Sequence, residues 1–194
     1  MLVRKSQLNL VSPDNPILHK VPALYDFEEH KDTTEMFANL MFDRMKELQG
    51  MGLSANQVGL DVQMFTMGFD LLRIDVFNPK IIETFGPEES YDEGCLSYPG
   101  IQLKVRRPVT AHVEYFNVKG DKVNIKITGL TARIFLHEYD HMMGKTFKEH
   151  VSKLKWDMAN KRLTKIRQKL KTKYQQKFIQ DTLKEMQEKA NEAQ

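Results

Sequence analysis

Apolar positions change their period along the chain, and each change marks an element. In EMFANLMFDRMKELQ, Phe37, Leu40, Met41 and Met45 recur near helical spacing, which predicts an amphipathic helix. Asp32-Thr33-Thr34 precede it as a cap, and Gly50 follows it as a stop. Gly50, Gly52 and Gly59 then punctuate GMGLSANQVGL, a loop entering the strand VQMFTMGF. VFNP, KIIETF, IQLKV, PVTAHVEYF and VNIKIT read as short strands. VTAHVEY alternates as a half-buried strand does, and NVKGDK supplies a hairpin turn before VNIKIT. In GLTARIFLHEYDHMMG the helical period returns through Leu130, Ile134, His137 and His141, with Gly129 opening the segment and Gly144 closing it. Beyond Ser152, Trp156, Ala159, Leu163, Ile166, Leu170 and Tyr174 fall at alternating three- and four-residue steps, an apolar seam on a long helix otherwise thick with Lys and Arg. Helix, strands, helix and long helix predict an α+β fold: mostly antiparallel sheets around the helix carrying HEYDH, with a long C-terminal helix.

Composition and charge refine this into two parts. A chain of 194 residues, 41% of them apolar, suits one packed domain with an appendage, read as residues 1–151 and a basic helical extension, 152–194. The net charge of +3 divides into +7 for the extension and −4 for the remainder. An extension helical throughout runs about 60 Å, against about 30 Å for a small domain, so part of it is expected to project and to suit a polyanion. The plainer alternatives are a helix docked on its own domain or a coiled-coil contact. No run of eighteen apolar residues predicts a membrane span, and MLVRKSQLNLVSPDNP has no apolar core of signal-peptide length. A single cysteine, Cys95, then points to a reducing compartment, the cytoplasm.

The segment HEYDH carries the chemistry. His137 and His141, four apart on a helix, lie one turn above each other and can reach one metal ion, with Glu138 beside them to handle a proton on its water. The plain alternative is that both histidines continue the buried stripe of Leu130 and Ile134. A catalytic ion of this kind takes three protein ligands and keeps one position for water. Phe147 stands where the metzincin pattern needs His; Glu149 is too near along the chain, and Glu185 lies in the basic extension. Cys95, a lone thiol otherwise readable as buried filler or nucleophile, is the soft residue left and is read as the third ligand.

Three segments now stand in order: GMGLSANQ (Gly50 to Gln57), EGCLS (Glu93 to Ser97) and HEYDH (His137 to His141). Together they resemble the peptide deformylase family over about residues 12 to 152. Ser54 stands where Ala is more usual in that family, and no functional consequence is expected of so small a change. The resemblance implies a hydrolase of protein biosynthesis that removes formate from the N-formylmethionine of nascent polypeptides. It assigns Cys95, His137 and His141 to the metal and Glu138 to general acid/base work. It gives the oxyanion to Gln57 and the Leu96 N–H, the substrate main chain to Gly52 and Gly94, and the methionine pocket to Met51. Family members often use Fe²⁺, while the ligand set also admits Zn²⁺, Ni²⁺ or Co²⁺. Glu93 and Asp140 flank the ligands as candidates for orienting them. An enzyme acting on nascent chains would meet ribosomal RNA as the polyanion for its extension; no DNA is expected. Two other readings stay open: an HExxH zinc metalloprotease without need of Cys95, and a structural metal site in a nucleic-acid-binding protein. The last needs a fourth ligand, and His19, His30, His112 and His150 lack finger spacing.

Overall fold

The computed structural model describes residues 7–192, with side chains described as far as Asp181. Met1–Ser6 and the Glu185 side chain lie outside this range. The chain separates into two units, Met1–Ser152 and Lys153–Gln194.

The first unit is built on one antiparallel meander: β1 (Gly52–Ser54), β2 (Met64–Phe69), β3 (Leu72–Gly94), β4 (Gln102–Phe116) and β5 (Lys122–Thr128), neighbours in that order. Among its described residues are three α-helices: α1 (Phe27–His30), α2 (Thr34–Glu47) and α3 (Gly129–Met142). The strands are fewer and longer than their sequence suggests. VFNP and KIIETF are parts of β3, which continues through Glu88–Glu93 paired to β4. The breakers inside it mark bulges rather than ends: register shifts fall at Asn78-Pro79, at Ile82 and at Gly86-Pro87. Asn78 and Gly86 take positive φ there, and a bulge is where proline's missing N–H does least harm. IQLKV and PVTAHVEYF likewise merge into β4.

Strand β2 divides two cores. Phe65 and Met67 pack with Phe135, Ala132 and Met142 of α3, whereas Met64 packs with Phe37, Met41 and Met45 of α2. Covered on both faces, it reads as a near-continuous apolar run rather than an alternation. Phe37, Met41, Met64, Phe65, Met67 and Phe135 are at most 1% exposed, and each such side chain contributes about 1.5–3 kcal/mol of transfer free energy. Helix α2 ends at Glu47, with Gln49 rather than Gly50 in the left-handed region. Thr33 stands at its N-cap without a side-chain capping bond; the Thr33 and Thr34 hydroxyls both donate to His30 O instead. Leu130 is 46% exposed, off the buried stripe expected of it, because α3 buries Ala132, Ile134, Phe135, Leu136, Glu138, His141 and Met142 instead.

The second unit is the single helix α4 (Lys153–Glu192). Of its apolar seam, Ile166, Leu170 and Tyr174 are exposed. No described helix is long and apolar enough to cross a membrane.

Candidate metal centre

Three segments far apart in sequence deliver the site. Helix α3 carries His137, Glu138 and His141; β3 ends at Gly94 and turns tightly through Cys95, where Tyr98 N donates to Cys95 O at 2.9 Å; β1 runs into the short 3₁₀ turn Ala55–Val58, which holds Gln57. Cys95, His137 and His141 offer ligand atoms that all lie within 4.8 Å of one another. Cys95 Sγ stands 3.4 Å from His141 Nε2. His137 turns Nδ1 to the Glu93 carboxylate at 3.0 Å, donating because a carboxylate only accepts, so its Nε2 is the nitrogen left for an ion. A thiolate with two imidazoles is a donor set that fits a divalent transition metal.

The charges suit this too. Burial pushes the Cys95 thiol up, but the His141 and His137 rings outweigh it and bring the thiol from 9.0 down to about 6. Burial alone would lower His137; contacts with Cys95 and Glu93 instead raise it from 6.5 to about 10. Both shifts favour the charged forms, thiolate and imidazolium, and a cation bound by these groups displaces a proton.

Glu138 is 3% exposed, and its carboxylate is shaped by β1. A Cβ added at Gly52 would sit 2.7 Å from Glu138 Cδ and 2.8 Å from Cγ, so only glycine leaves the carboxylate room. The sequence suggested another reason for this glycine, approach of a substrate main chain. At Gly94, by contrast, an added Cβ meets only Ile101 O at 3.8 Å, and the main chain there is open. Glu138 Oε2 accepts a hydrogen bond from the buried Ser54 hydroxyl at 2.7 Å, a partner not legible in the sequence.

Gln57 is fixed at both ends of its amide. Oε1 accepts from Ser54 N at 2.8 Å, and Nε2 donates to Ser97 Oγ at 3.0 Å and toward Cys95 Sγ at 3.5 Å. Asn56 Nδ2 donates to His141 O at 2.8 Å, tying the same turn to the metal helix. Leu96 is partly buried and packs with the α2 core, its Cδ1 2.7 Å from where a Cβ on Gly50 would stand. Met51 is 43% exposed.

Behind His137 lies a buried ionic cluster of which the sequence suggested only Glu93 and Asp140. Glu93 accepts from Arg107 Nε and Nη2 at 2.7 and 3.0 Å, from Arg133 Nη1 at 2.7 Å and from His137. Arg107 extends it to Asp140 at 2.9 Å, and Asp140 to His150 at 2.8 Å. Asp140 therefore acts on Arg107 rather than on a ligand. Burial raises the Glu93 carboxyl, but bonds from His137 and Arg107 outweigh this and hold it at about 2 instead of 4.5. Such a carboxylate fixes the orientation of the ring it grips. A phase signal for Arg107 exists in the sequence: it shares the inward register of Leu103, Val105, Ala111 and Val113 on β4.

The chain has clear relatives among known proteins. The family described as polypeptide deformylase matches residues 7–157. A peptide deformylase of Cytophaga hutchinsonii is 36% identical over 166 residues, 81% of this chain and 89% of that protein. The chloroplastic/mitochondrial peptide deformylase 1B of Arabidopsis thaliana is 34% identical over 89% of this chain and 63% of its own length. The crystal structure of a peptide deformylase from Synechococcus elongatus superposes with a TM-score of 0.76 at 31% identity, covering 83% of this chain and 87% of that one. With a match over most of its length and the fold in common, the chain belongs to the polypeptide deformylase family.

Proposed function

We infer that this chain is a metal-dependent hydrolase that removes the formyl group from N-terminal N-formylmethionine of nascent polypeptides, releasing formate, with residues 1–151 as its catalytic domain. The observation that carries the reading is the convergence of Cys95, His137 and His141 within 4.8 Å beside a buried Glu138. Those three residues would hold one divalent ion: Fe²⁺ natively, with Zn²⁺, Ni²⁺ or Co²⁺ admitted by the same ligands. When bound, the ion supplies Lewis acidity, polarising a carbonyl and making a water acidic.

The protein's own groups do the rest. Gln57 Nε2 and the Leu96 N–H donate to the oxyanion formed on the formyl oxygen; such donors contribute about 3 kcal/mol each. Glu138 takes the attacking water's proton and passes it to the departing nitrogen, which leaves as an amine. Gly52 and Gly94 offer main chain to the peptide, and Met51 an apolar contact for the methionine side chain. A closed structural site would need a fourth ligand, and the cluster among the described residues has three. The test is formate release from a formyl-Met peptide by metal-loaded protein. Activity abolished by chelation and restored by Fe²⁺ or Zn²⁺ supports the reading; no release at full metal occupancy overturns it.

The finer partner is ribosomal RNA, reached through α4. That helix is largely exposed along its described side chains and basic, carrying 12 of the chain's 29 Lys and Arg against five acids, a net +7. Full-length protein is expected to co-sediment with ribosomes at low salt and to detach as salt rises, whereas a chain ending at Val151 does not bind. Unchanged co-sedimentation of the shortened chain contradicts this. The compartment that goes with this partner is the cytoplasm, with the organellar address of the Arabidopsis relative as the alternative.

A further inference from the structure

Ser54, for which the sequence alone implies no functional consequence, occupies a junction that points the other way. It is fully buried at the end of β1, and it sends two hydrogen bonds to two different working groups. Its N–H donates to Gln57 Oε1 at 2.8 Å, which leaves Nε2 as the end of that amide facing Cys95. Its hydroxyl donates to Glu138 Oε2 at 2.7 Å, a bond from a neutral donor to a charged acceptor inside the protein. The main chain could serve Gln57 with any residue at this position. Only a hydroxyl can serve Glu138.

We propose that Ser54 is a positioning residue for Glu138: its hydroxyl anchors Oε2 and so reserves Oε1, the oxygen lying against Gly52, for the proton transferred during hydrolysis. Glutamate has several rotatable bonds, and a carboxylate left to itself presents either oxygen. Here Oε1 lies in the space that glycine at 52 leaves open, and Oε2 is tied to the strand that carries Gly52. The carboxylate is thereby held by two residues of β1, and Ser54 at once orients Gln57. An amide donor and a proton carrier are thus registered to each other through one residue, its main-chain N–H holding the first and its hydroxyl the second. Reaction rates fall steeply when such groups move by an ångström, so the anchoring bond acts on turnover rather than on binding.

The proposal rests on Glu138 as the proton carrier, and the experiment separates the two ideas. Ser54→Ala, Glu138→Gln and the double variant are prepared as full-length, metal-loaded protein and assayed for formate release. Ser54→Ala removes one buried oxygen, and with it an acceptor for the Gln57 N–H, but leaves the main-chain bond to Gln57 Oε1 intact. It is expected to lower kcat about tenfold, the scale of one hydrogen bond to a charged group, with KM within about twofold and one metal per chain. In the Glu138→Gln background the same substitution is expected to change the residual kcat little, because the amide still accepts from Ser54 but no proton carrier remains there to be positioned. An unchanged kcat in Ser54→Ala overturns the proposal. So does a loss that tracks metal content, or one equally large in the Glu138→Gln background. Full activity in Glu138→Gln itself would instead overturn the reading of the site.

Discussion

Replacing Glu138 by Gln is expected to lower kcat by about 10²–10⁴-fold while leaving metal content and folding intact. The side chain keeps its length and an oxygen that can accept from Ser54, so the fit against Gly52 survives. What it loses is the ability to take a proton from water and deliver it to the leaving nitrogen. An amide nitrogen expelled without that proton is a very poor leaving group, so the step cannot proceed at the same rate by another route in this site. Single-turnover formate release, measured beside metal analysis, separates the cases. A loss confined to kcat supports the assignment; a loss that follows missing metal moves Glu138 into a structural role.

The second large effect is on stability. Glu93→Gln keeps the shape of the side chain but removes the charge that compensates Arg107 and Arg133 and grips His137. Arg107 and Glu93 are 4% and 6% exposed at their side chains, so solvent cannot replace the lost partner. Breaking such a buried pair from one side costs about 3–5 kcal/mol. Arg107 retains Asp140, which places the expected value toward the lower end. The pH dependence has a definite sign. Because the native carboxyl is held at about 2 instead of 4.5, its contribution is complete above the unfolded value and disappears as pH falls through about 2. Urea denaturation should therefore show a gap between wild type and Glu93→Gln of about 3 kcal/mol at pH 7, narrowing between pH 4.5 and 2. A gap independent of pH contradicts the pairing. The same substitution is expected to weaken metal binding by about 10–100-fold, since His137 loses the group that orients it.

The elements were readable from sequence where local signals and tertiary structure agree. The helix bearing HEYDH is of this kind: glycines flank it at Gly129 and Gly144, and both take positive φ. Local signals misled in β3. Pro79, Gly86 and Pro87 are strand breakers by their own chemistry, yet thirteen register pairs with β4 carry the ladder past them. Pairing between segments distant in sequence is what single residues cannot announce. Arg107 shows the complementary case. A charge at an inward position of β4 looks like a break in the pattern until Glu93 and Asp140 are seen to meet it. The three residues that converge in the candidate metal centre were legible because their chemistry is rare: two histidines a turn apart and a lone thiol. Ser54 was not, because serine is common and its significance lies in a contact spanning 84 positions.

The most direct measurement is anomalous diffraction from crystals of the protein loaded with Zn²⁺. The account predicts one ion per chain bonded to Cys95 Sγ at about 2.3 Å and to Nε2 of His137 and His141 at about 2.0–2.1 Å, with solvent rather than a protein atom completing its shell. An ion bonded elsewhere, or one whose fourth position is filled by a protein side chain, would contradict it.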